Sequence, residues 1–184
     1  MLRIRPLTAS LLLCLALCGL PLNPAYSESG LEHTIKASLV LKFPSFVTWP
    51  AKPDPTLTSK NLTLCISGKD SFGNIFKLAT EESIVDLKLT VNRLGKSRNF
   101  NSCHILYLSS LNKTESEQIL RRIGNLPILV ISEQPGMADL GAGINFLIVN
   151  NKVRFEINKL AIDRSGLIVS SELLALAHRV LEEQ

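Results

Sequence analysis

Aromatic residues, cysteine, glycine and proline are all scarce in this chain of 184 residues. Only 5% of it is aromatic, and it has 4 Cys, 10 Gly and 9 Pro against 46% hydrophobic residues. The shortage of Gly, Pro and Cys excludes collagen-like, low-complexity and disulfide-dense chains, and the apolar content excludes a disordered one. The length fits one domain with a sizeable buried core.

The motifs of common catalytic and metal sites are also missing. No Gly-x-Ser-x-Gly elbow and no His-Glu-x-x-His pair occurs, and His33, His104 and His178 are widely spaced. No set of residues therefore indicates a catalytic site. We expect a protein that is not an enzyme and that carries no metal and no cofactor.

The formal charge of +4 and a pI near 9.0 are typical of a nucleic-acid partner. The basic residues are dispersed, however, and one Trp and two Tyr provide no platform on which bases could stack. We therefore expect no nucleic-acid partner.

The first residues have the pattern of a secretory signal peptide. Arg3 and Arg5 precede an apolar run over 11–17, and Ala25-Tyr26-Ser27 places small residues at the two positions that a signal peptidase reads. A membrane anchor is the alternative, but a spanning helix needs about 20 apolar residues. We predict a signal peptide over 1–27 that is cleaved after Ser27, an exported mature domain over 28–184, and no stable membrane insertion.

Two cysteines, Cys65 and Cys103, remain after that cleavage. An exported protein meets an oxidising compartment, where two thiols tend to form one disulfide. A redox switch is the alternative, although no neighbouring residue marks either thiol as reactive. The cleavage also removes two arginines and no acidic residue, so 20 − 2 = 18 basic residues face 16 acidic ones and the mature domain is nearly neutral.

Apolar periodicity predicts strands that alternate with helices. Leu31, Ile35, Leu39 and Phe43 are spaced by four, which predicts a helix with an apolar stripe that ends before Pro44. Strands are expected over 61–67, 87–91, 103–109 and 128–131, and helices over 72–79 and 114–123, with a capping box at Thr114 and Glu117. This order predicts an α/β fold, a single domain with a mostly parallel central sheet flanked by helices.

The carboxy-terminal third differs from this alternation. Segments 144–149 and 153–157 flank Asn150-Asn151, which predicts a β-hairpin because Asn tolerates the positive φ of tight turns. A last helix is expected from apolar residues at Leu173, Leu174, Ala177 and Val180. The fold is thus completed by a C-terminal β-hairpin and helix.

Apolar residues beside prolines and beside a charged strand face are candidates for a partner surface. The alternative is that they are ordinary core residues; as surface residues they would anchor a protein interface, where aromatic side chains are enriched. The apolar candidates are Phe46, Trp49, Ile144, Phe146 and Ile162, and Glu156 is the charged candidate on the strand beside them.

Six motifs occur in one order behind the signal peptide, and together they resemble the YfiR family. They are LKFPSFVTWP over 41–50, LCISGKDSFG over 64–73, CHILY over 103–107, GAGINF over 141–146, VRFEIN over 153–158 and SGLIVSSELL over 165–174. Each is weak alone, but together they cover nearly the whole mature chain.

The resemblance implies a periplasmic α/β protein, commonly a homodimer, that represses a YfiN-like inner-membrane diguanylate cyclase by contacting its periplasmic domain. A YfiB-like outer-membrane lipoprotein would sequester it, and repression would lower cyclic-di-GMP and biofilm formation. Cys65 and Cys103 match the disulfide positions of that family. The alternative function is a periplasmic small-ligand-sensing module that feeds a membrane signalling protein through the crevice at the carboxyl end of the sheet.

Overall fold

The structure, a computed structural model, describes residues 25–50, 61–70, 72–73, 75–76, 88–95 and 99–183. Residues 1–24 of the predicted signal peptide lie outside these ranges, as does most of the helix predicted over 72–79. The helices are α1 (Ala25–Lys42), α2 (Lys113–Ile123), α3 (Lys159–Arg164) and α4 (Ser171–Leu176). The strands are β1 (Val47–Thr48), β2 (Asn61–Gly68), β3 (Lys88–Leu94), β4 (Ile105–Ser109), β5 (Leu129–Ser132), β6 (Ile144–Val149), β7 (Lys152–Asn158), β8 (Ile168–Val169) and β9 (Arg179–Leu181).

The strands form a central sheet in the order β3-β2-β4-β5-β6-β7-β9. Strands β2 to β6 are parallel, β7 is antiparallel to β6, and β9 is parallel to β7. A small antiparallel pair, β1 with β8, lies apart from this sheet. The mostly parallel α/β architecture is as predicted, and the order of its first five strands is that of a doubly wound fold.

The middle of the sheet is buried on both faces. All five residues of β4 are buried, as the unbroken apolar run predicts. Cys65 in β2 and Cys103 just before β4 form a disulfide bond with their Cα atoms 5.7 Å apart, and both side chains are buried. The bond therefore joins two neighbouring strands inside the molecule.

The carboxyl ends of β2 and β4 approach each other closely. Gly68 has φ +101°, and a Cβ added there would lie 1.9 Å from the carbonyl oxygen of Ser109. Glycine is thus required at the end of β2 both for its backbone conformation and for the lack of a side chain.

The hairpin of β6 and β7 turns at the two predicted asparagines. Asn150 has φ +50° and Asn151 has φ +57°, both in the left-handed region. Val149 pairs with Lys152, and the register runs to Ile144 opposite Ile157. The hairpin prediction is therefore confirmed.

Each face of the central sheet carries its own core. On one face, Phe43 after α1 packs on Phe146 of β6 and Phe155 of β7, with ring centroids 5.9 and 5.2 Å apart. On the other face, α2 buries Ile119 and Ile123 against a cluster that includes the disulfide. The two cores give the three-layer arrangement that parallel strands require.

The face of α1 that points to the core differs from the predicted stripe. The helix ends at Lys42 and Pro44 lies in a following 3-10 turn, as expected. Ala37 and Val40 are buried, whereas Leu31 and Ile35 are 62% and 38% exposed. The predicted stripe is thus only half buried: Leu39 and Phe43 at its end pack in the core, whereas its start points outward.

Two helix predictions also need correction. The capping box of α2 is formed by Asn112 and Glu115, two residues before the predicted pair, because Asn112 accepts the Glu115 N–H at 2.9 Å. The last helix ends at Leu176. Ala177 is extended, and Val180 lies in β9, where the chain pairs with the open edge of β7.

Candidate functional site

Exposed apolar side chains lie on the small sheet and on α4. The antiparallel pairing of β1 with β8 turns Val47 and Val169 toward the core and leaves Ile168 66% exposed. Leu176 at the end of α4 is also 66% exposed. The Ser170 N–H, which precedes α4, donates to the Phe46 carbonyl at 2.8 Å, so these elements are joined. We call the residues Phe46, Trp49, Ile168 and Leu176 the β8–α4 surface.

The two aromatic residues predicted for partner binding lie at this surface but are partly committed to the core. Phe46 and Trp49 are half-buried and pack against the core residues of the same sheet face. The Trp49 Nε1–H donates to the carbonyl oxygen of His104 at 3.3 Å. They are therefore held in fixed positions, with part of each ring left at the surface.

Three other predicted partner residues are core residues. Ile144, Phe146 and Ile162 are each at most 1% exposed. Phe146 stacks on Phe43, and Ile144 lies on the same sheet face because side chains two positions apart point the same way. A partner could reach none of the three in this fold, so they can only support a surface from beneath.

Glu156 belongs to a charged network on the opposite face of the sheet. Its carboxylate accepts from the Arg179 Nε–H at 2.9 Å, and the same guanidinium binds both carboxylate oxygens of Asp139 at 3.0 and 2.8 Å. The hydrogen bonds from Arg179 lower the pKa of Asp139, and the two carboxylates raise that of Arg179. Because Phe155 and Ile157 point to the other side, Glu156 and the β8–α4 surface do not form one patch.

A buried ionic cluster that the sequence gives no sign of lies between α1 and the carboxyl end of β5. Lys36 is 7% exposed and its ammonium group contacts the carboxylates of Glu32 and Glu133, the latter at 3.0 Å. Burial alone would lower the pKa of Lys36, but the hydrogen bonds to the two carboxylates outweigh it and the pKa is raised. The cluster fixes α1 against the sheet.

Tyr107 of β4 points its hydroxyl into the same region. The side chain is fully buried, and among the described residues no hydrogen bond of good geometry reaches the hydroxyl. Burial first, and then the nearby carboxylates of Glu133 and Glu32, raise the pKa of Tyr107 far above its ordinary value. The phenol therefore stays neutral.

A cleft of about 270 Å³ lies at the amino ends of β5 and β6. Its walls come from the end of α2, the glycine-rich loop before β6, and α3. Apolar and basic side chains both line it, among them Leu120, Leu126, Leu140, Arg121 and Arg164. The crevice expected for ligand sensing was at the opposite, carboxyl end of the sheet.

Two further features are absent from the described residues. No group of three or more His, Cys, Asp or Glu side chains in these ranges could hold a metal ion. Within the same ranges, no helix is both long and apolar enough to cross a membrane.

Comparison with known proteins matches a family model and several solved structures. A family model described as YfiR/HmsC-like matches residues 33–178. Among solved structures, an ABC domain in complex with L-Trp from Streptococcus pneumonia superposes with a TM-score of 0.47 at 10% sequence identity. That match covers 65% of this chain and 56% of the other.

Proposed function

The chain belongs to the YfiR/HmsC-like family, a regulatory family of periplasmic proteins in cyclic-di-GMP signalling, and from this we propose that it represses a membrane-bound diguanylate cyclase. The protein is non-enzymatic in this proposal and acts by protein–protein contact. Repression lowers cyclic-di-GMP and, with it, biofilm formation. The observation that carries the proposal is the family match over nearly the whole predicted mature domain, 28–184.

The partner in this proposal is the periplasmic domain of a YfiN-like inner-membrane diguanylate cyclase. A regulator that binds one conformation of that domain better than the other shifts the populations of the two, and the shift passes to the cyclase. A YfiB-like outer-membrane lipoprotein relieves repression by sequestering the regulator. The regulator itself is a homodimer, exported by a signal peptide over 1–27.

The β8–α4 surface is the part of the described structure that best suits such a contact. Two aliphatic side chains that are each 66% exposed, Ile168 and Leu176, lie beside half-buried aromatic rings that pack on the core. Rigid aromatic and aliphatic anchors lose little entropy on binding and commonly dominate interface energies. Glu156, on the other sheet face, would contribute through a separate charged contact.

The test is to replace this protein by variants in the cells that naturally produce it, and to measure the cellular level of cyclic-di-GMP. Deletion should raise the level of cyclic-di-GMP, and adding back the wild-type protein should return it to the original low level. The double variant Ile168→Asp with Leu176→Asp should leave the cyclic-di-GMP level high. It should also bind the periplasmic domain of the cyclase at least about tenfold more weakly, since charges would replace apolar anchors. The matched control is Ile148→Asp, because Ile148 is 49% exposed at the β6–β7 hairpin.

Each component of the proposal can fail separately in that experiment. Unchanged cyclic-di-GMP on deletion would remove repression as the function. Full restoration by the double variant, with unaltered affinity, would remove the β8–α4 surface from the contact. Glu156→Lys tests the second contact in the same assay, and unchanged affinity and cyclic-di-GMP would remove Glu156 from the partner surface.

Small-ligand sensing remains a second candidate because of the cleft at the amino ends of β5 and β6. Its volume of about 270 Å³ is near the lower end of small-molecule pockets. A thermal-shift screen with nucleotides, amino acids and cell-wall fragments distinguishes the two functions. Saturable stabilisation that Leu140→Asp abolishes would favour sensing, whereas no stabilisation by any of them would leave repression by contact alone.

A further inference from the structure

The cleft at the amino ends of β5 and β6 has aliphatic side chains exposed on two of its walls. Leu126, just after α2, and Leu140, in the glycine-rich loop before β6, both line the cleft, and each is 40% exposed. Partly exposed aliphatic side chains in a concave site favour a ligand that has an apolar part of its own.

The base of the cleft is closely packed. Leu129 and Ile162 line it and are at most 1% exposed. A Cβ added at Gly143 would lie 3.1 Å from Cγ1 of Ile162 and 3.4 Å from Cδ1 of Leu129, so the glycine lets both side chains pack against the backbone. A ligand is therefore confined to the open space of about 270 Å³ between the walls.

The cleft carries one positive charge that no carboxylate offsets. Arg121 and Arg164 line it together with Glu117, the one acidic residue among its described walls. Arg121 lies 3.6 Å from the Glu117 carboxylate, so these two charges offset each other. Asp163, next to Arg164 in sequence, pairs with Lys159 instead. Within the described ranges, Arg164 thus has no acidic partner.

The end of α3 does not require the charge of Arg164. A basic side chain near a helix end commonly satisfies the last carbonyl groups. Here backbone donors do so. The Ser165 N–H donates to the Ala161 carbonyl at 3.2 Å, and the Gly166 N–H donates to that of Asp163 at 2.9 Å. The guanidinium of Arg164 is therefore available to a ligand.

The size and the lining of the cleft exclude a nucleotide. None of the described lining residues is aromatic, so a base would have no ring to stack on. At roughly 30 Å³ for each water-sized group, 270 Å³ admits about nine non-hydrogen atoms, which is fewer than a nucleotide contains. A short chain with one charged end fits this space.

We infer that the cleft binds a small aliphatic carboxylate, a saturated chain of about eight carbons by that volume. The chain packs on Leu126 and Leu140, and the carboxylate pairs with Arg164, whose planar guanidinium can donate to both carboxylate oxygens. The inference rests on ligand sensing, the second candidate function, and names the chemical class of its ligand.

Calorimetric titration with octanoate tests this inference on the protein purified from the cells that produce it. Octanoate should bind saturably, one molecule per chain. The alcohol 1-octanol, which has the same chain and no charge, should bind at least about tenfold more weakly. Acetate, which keeps the carboxylate and lacks the chain, should bind at least about a hundredfold more weakly than octanoate.

Variants separate the two parts of the site. Arg164→Gln should weaken octanoate binding at least about tenfold and leave 1-octanol binding unchanged, because the alcohol has no carboxylate to lose a partner. The matched control is Arg154→Gln, an exposed arginine on the β6–β7 hairpin, which should bind octanoate like the wild type. The double variant Leu126→Asn with Leu140→Asn should weaken the binding of both compounds. Thermal unfolding of each variant establishes that it is folded.

The outcomes distinguish this inference from ligand sensing itself. No binding of octanoate, equal affinity for octanoate and 1-octanol, or an unaltered octanoate affinity in Arg164→Gln would each overturn the aliphatic carboxylate as the ligand. Sensing would survive that result if a compound of the thermal-shift screen stabilised the wild type and not Leu140→Asp. Repression of the cyclase is measured separately, through the level of cyclic-di-GMP.

Discussion

At the scale of single residues, the most consequential side chain is Lys36. It is a charged residue on the inner side of a helix, and one of its two carboxylate partners, Glu133, is 97 positions away in sequence. A buried charge is tolerated only when it is paired and hydrogen-bonded. The Glu32–Lys36–Glu133 cluster thus joins the inner side of α1, which also buries Ala37 and Val40, to the end of β5.

We expect Lys36→Met to destabilise the fold by about 2 kcal/mol at neutral pH, because two partly exposed carboxylates would lose the cation that donates hydrogen bonds to them. Urea unfolding of both proteins measures the difference. Lys159→Met is the control, since Lys159 pairs with Asp163 on an exposed helix surface and should change stability little. Equal stability of Lys36→Met and wild type would contradict the structural role of the cluster.

The same difference should depend on pH in a defined direction. Burial disfavours the charged form of Lys36, but the hydrogen bonds that its ammonium group donates to Glu32 and Glu133 outweigh burial and raise the folded-state pKa above its ordinary value of 10.5. The stabilisation is therefore fully present below pH 10.5 and is lost as the pH rises through the folded-state pKa. The stability gap between wild type and Lys36→Met should be constant from pH 7 to 9 and shrink in strongly alkaline buffer.

Residue positions in the candidate site were only partly predictable. The sequence shows Ile144 and Phe146 as apolar residues next to a charged strand, but a pattern with period two cannot tell which face of a sheet is covered by helices. The structure covers the face that contains Phe146 with Phe43 and α1. Exposure of Ile168 and Leu176 follows from the β1–β8 pairing and the end of α4, neither of which has a sequence signal.

At the scale of secondary-structure elements, turn and strand signals were more dependable than helix ends. The Asn150-Asn151 hairpin and the buried strand β4 are local patterns, and both are confirmed. The three-residue strand β9 was missed because its residues also suit the apolar spacing of a helix. Its pairing with the open edge of β7 outweighs that local preference.

The cap of α2 provides a prediction at this scale. Asn112→Ala should destabilise the protein by about 1 kcal/mol, because the Glu115 N–H would lose its acceptor at the first turn. Thr114→Ala, at the position first expected to cap the helix, should change stability by only a few tenths of a kcal/mol. Thermal unfolding of the two variants decides between the caps, and a larger loss for Thr114→Ala would contradict the structure.

At the scale of the whole molecule, the disulfide should contribute a large share of stability. Cys65 and Cys103 are 38 residues apart. Closing a loop of that length lowers the conformational entropy of the unfolded chain, which raises the free energy of unfolding by about 4 kcal/mol at most. We expect the double variant Cys65→Ala with Cys103→Ala to unfold at a markedly lower temperature. The unfolding temperature of the wild type in the presence of reductant should match that of the double variant. If reductant also lowered the unfolding temperature of the double variant, the loss of stability would not come from this disulfide.

The fold as a whole was predictable because alternating strands and helices leave few topologies open. Right-handed crossovers and burial on both faces lead from that alternation to a parallel sheet. The seven-stranded order and the contact of Phe43 with β6 and β7 were not predictable, because contacts between residues about a hundred positions apart leave no local pattern.

The packing of Phe43 on Phe146 and Phe155 also bears on when the molecule can fold. One ring stands near the beginning of the chain and two stand near its end, so this core cannot close until almost all of the polypeptide is present. Contacts between residues far apart in sequence form slowly. Phe43 therefore has no packing partners until the segment that holds Phe146 and Phe155 is present, and this core forms late in folding.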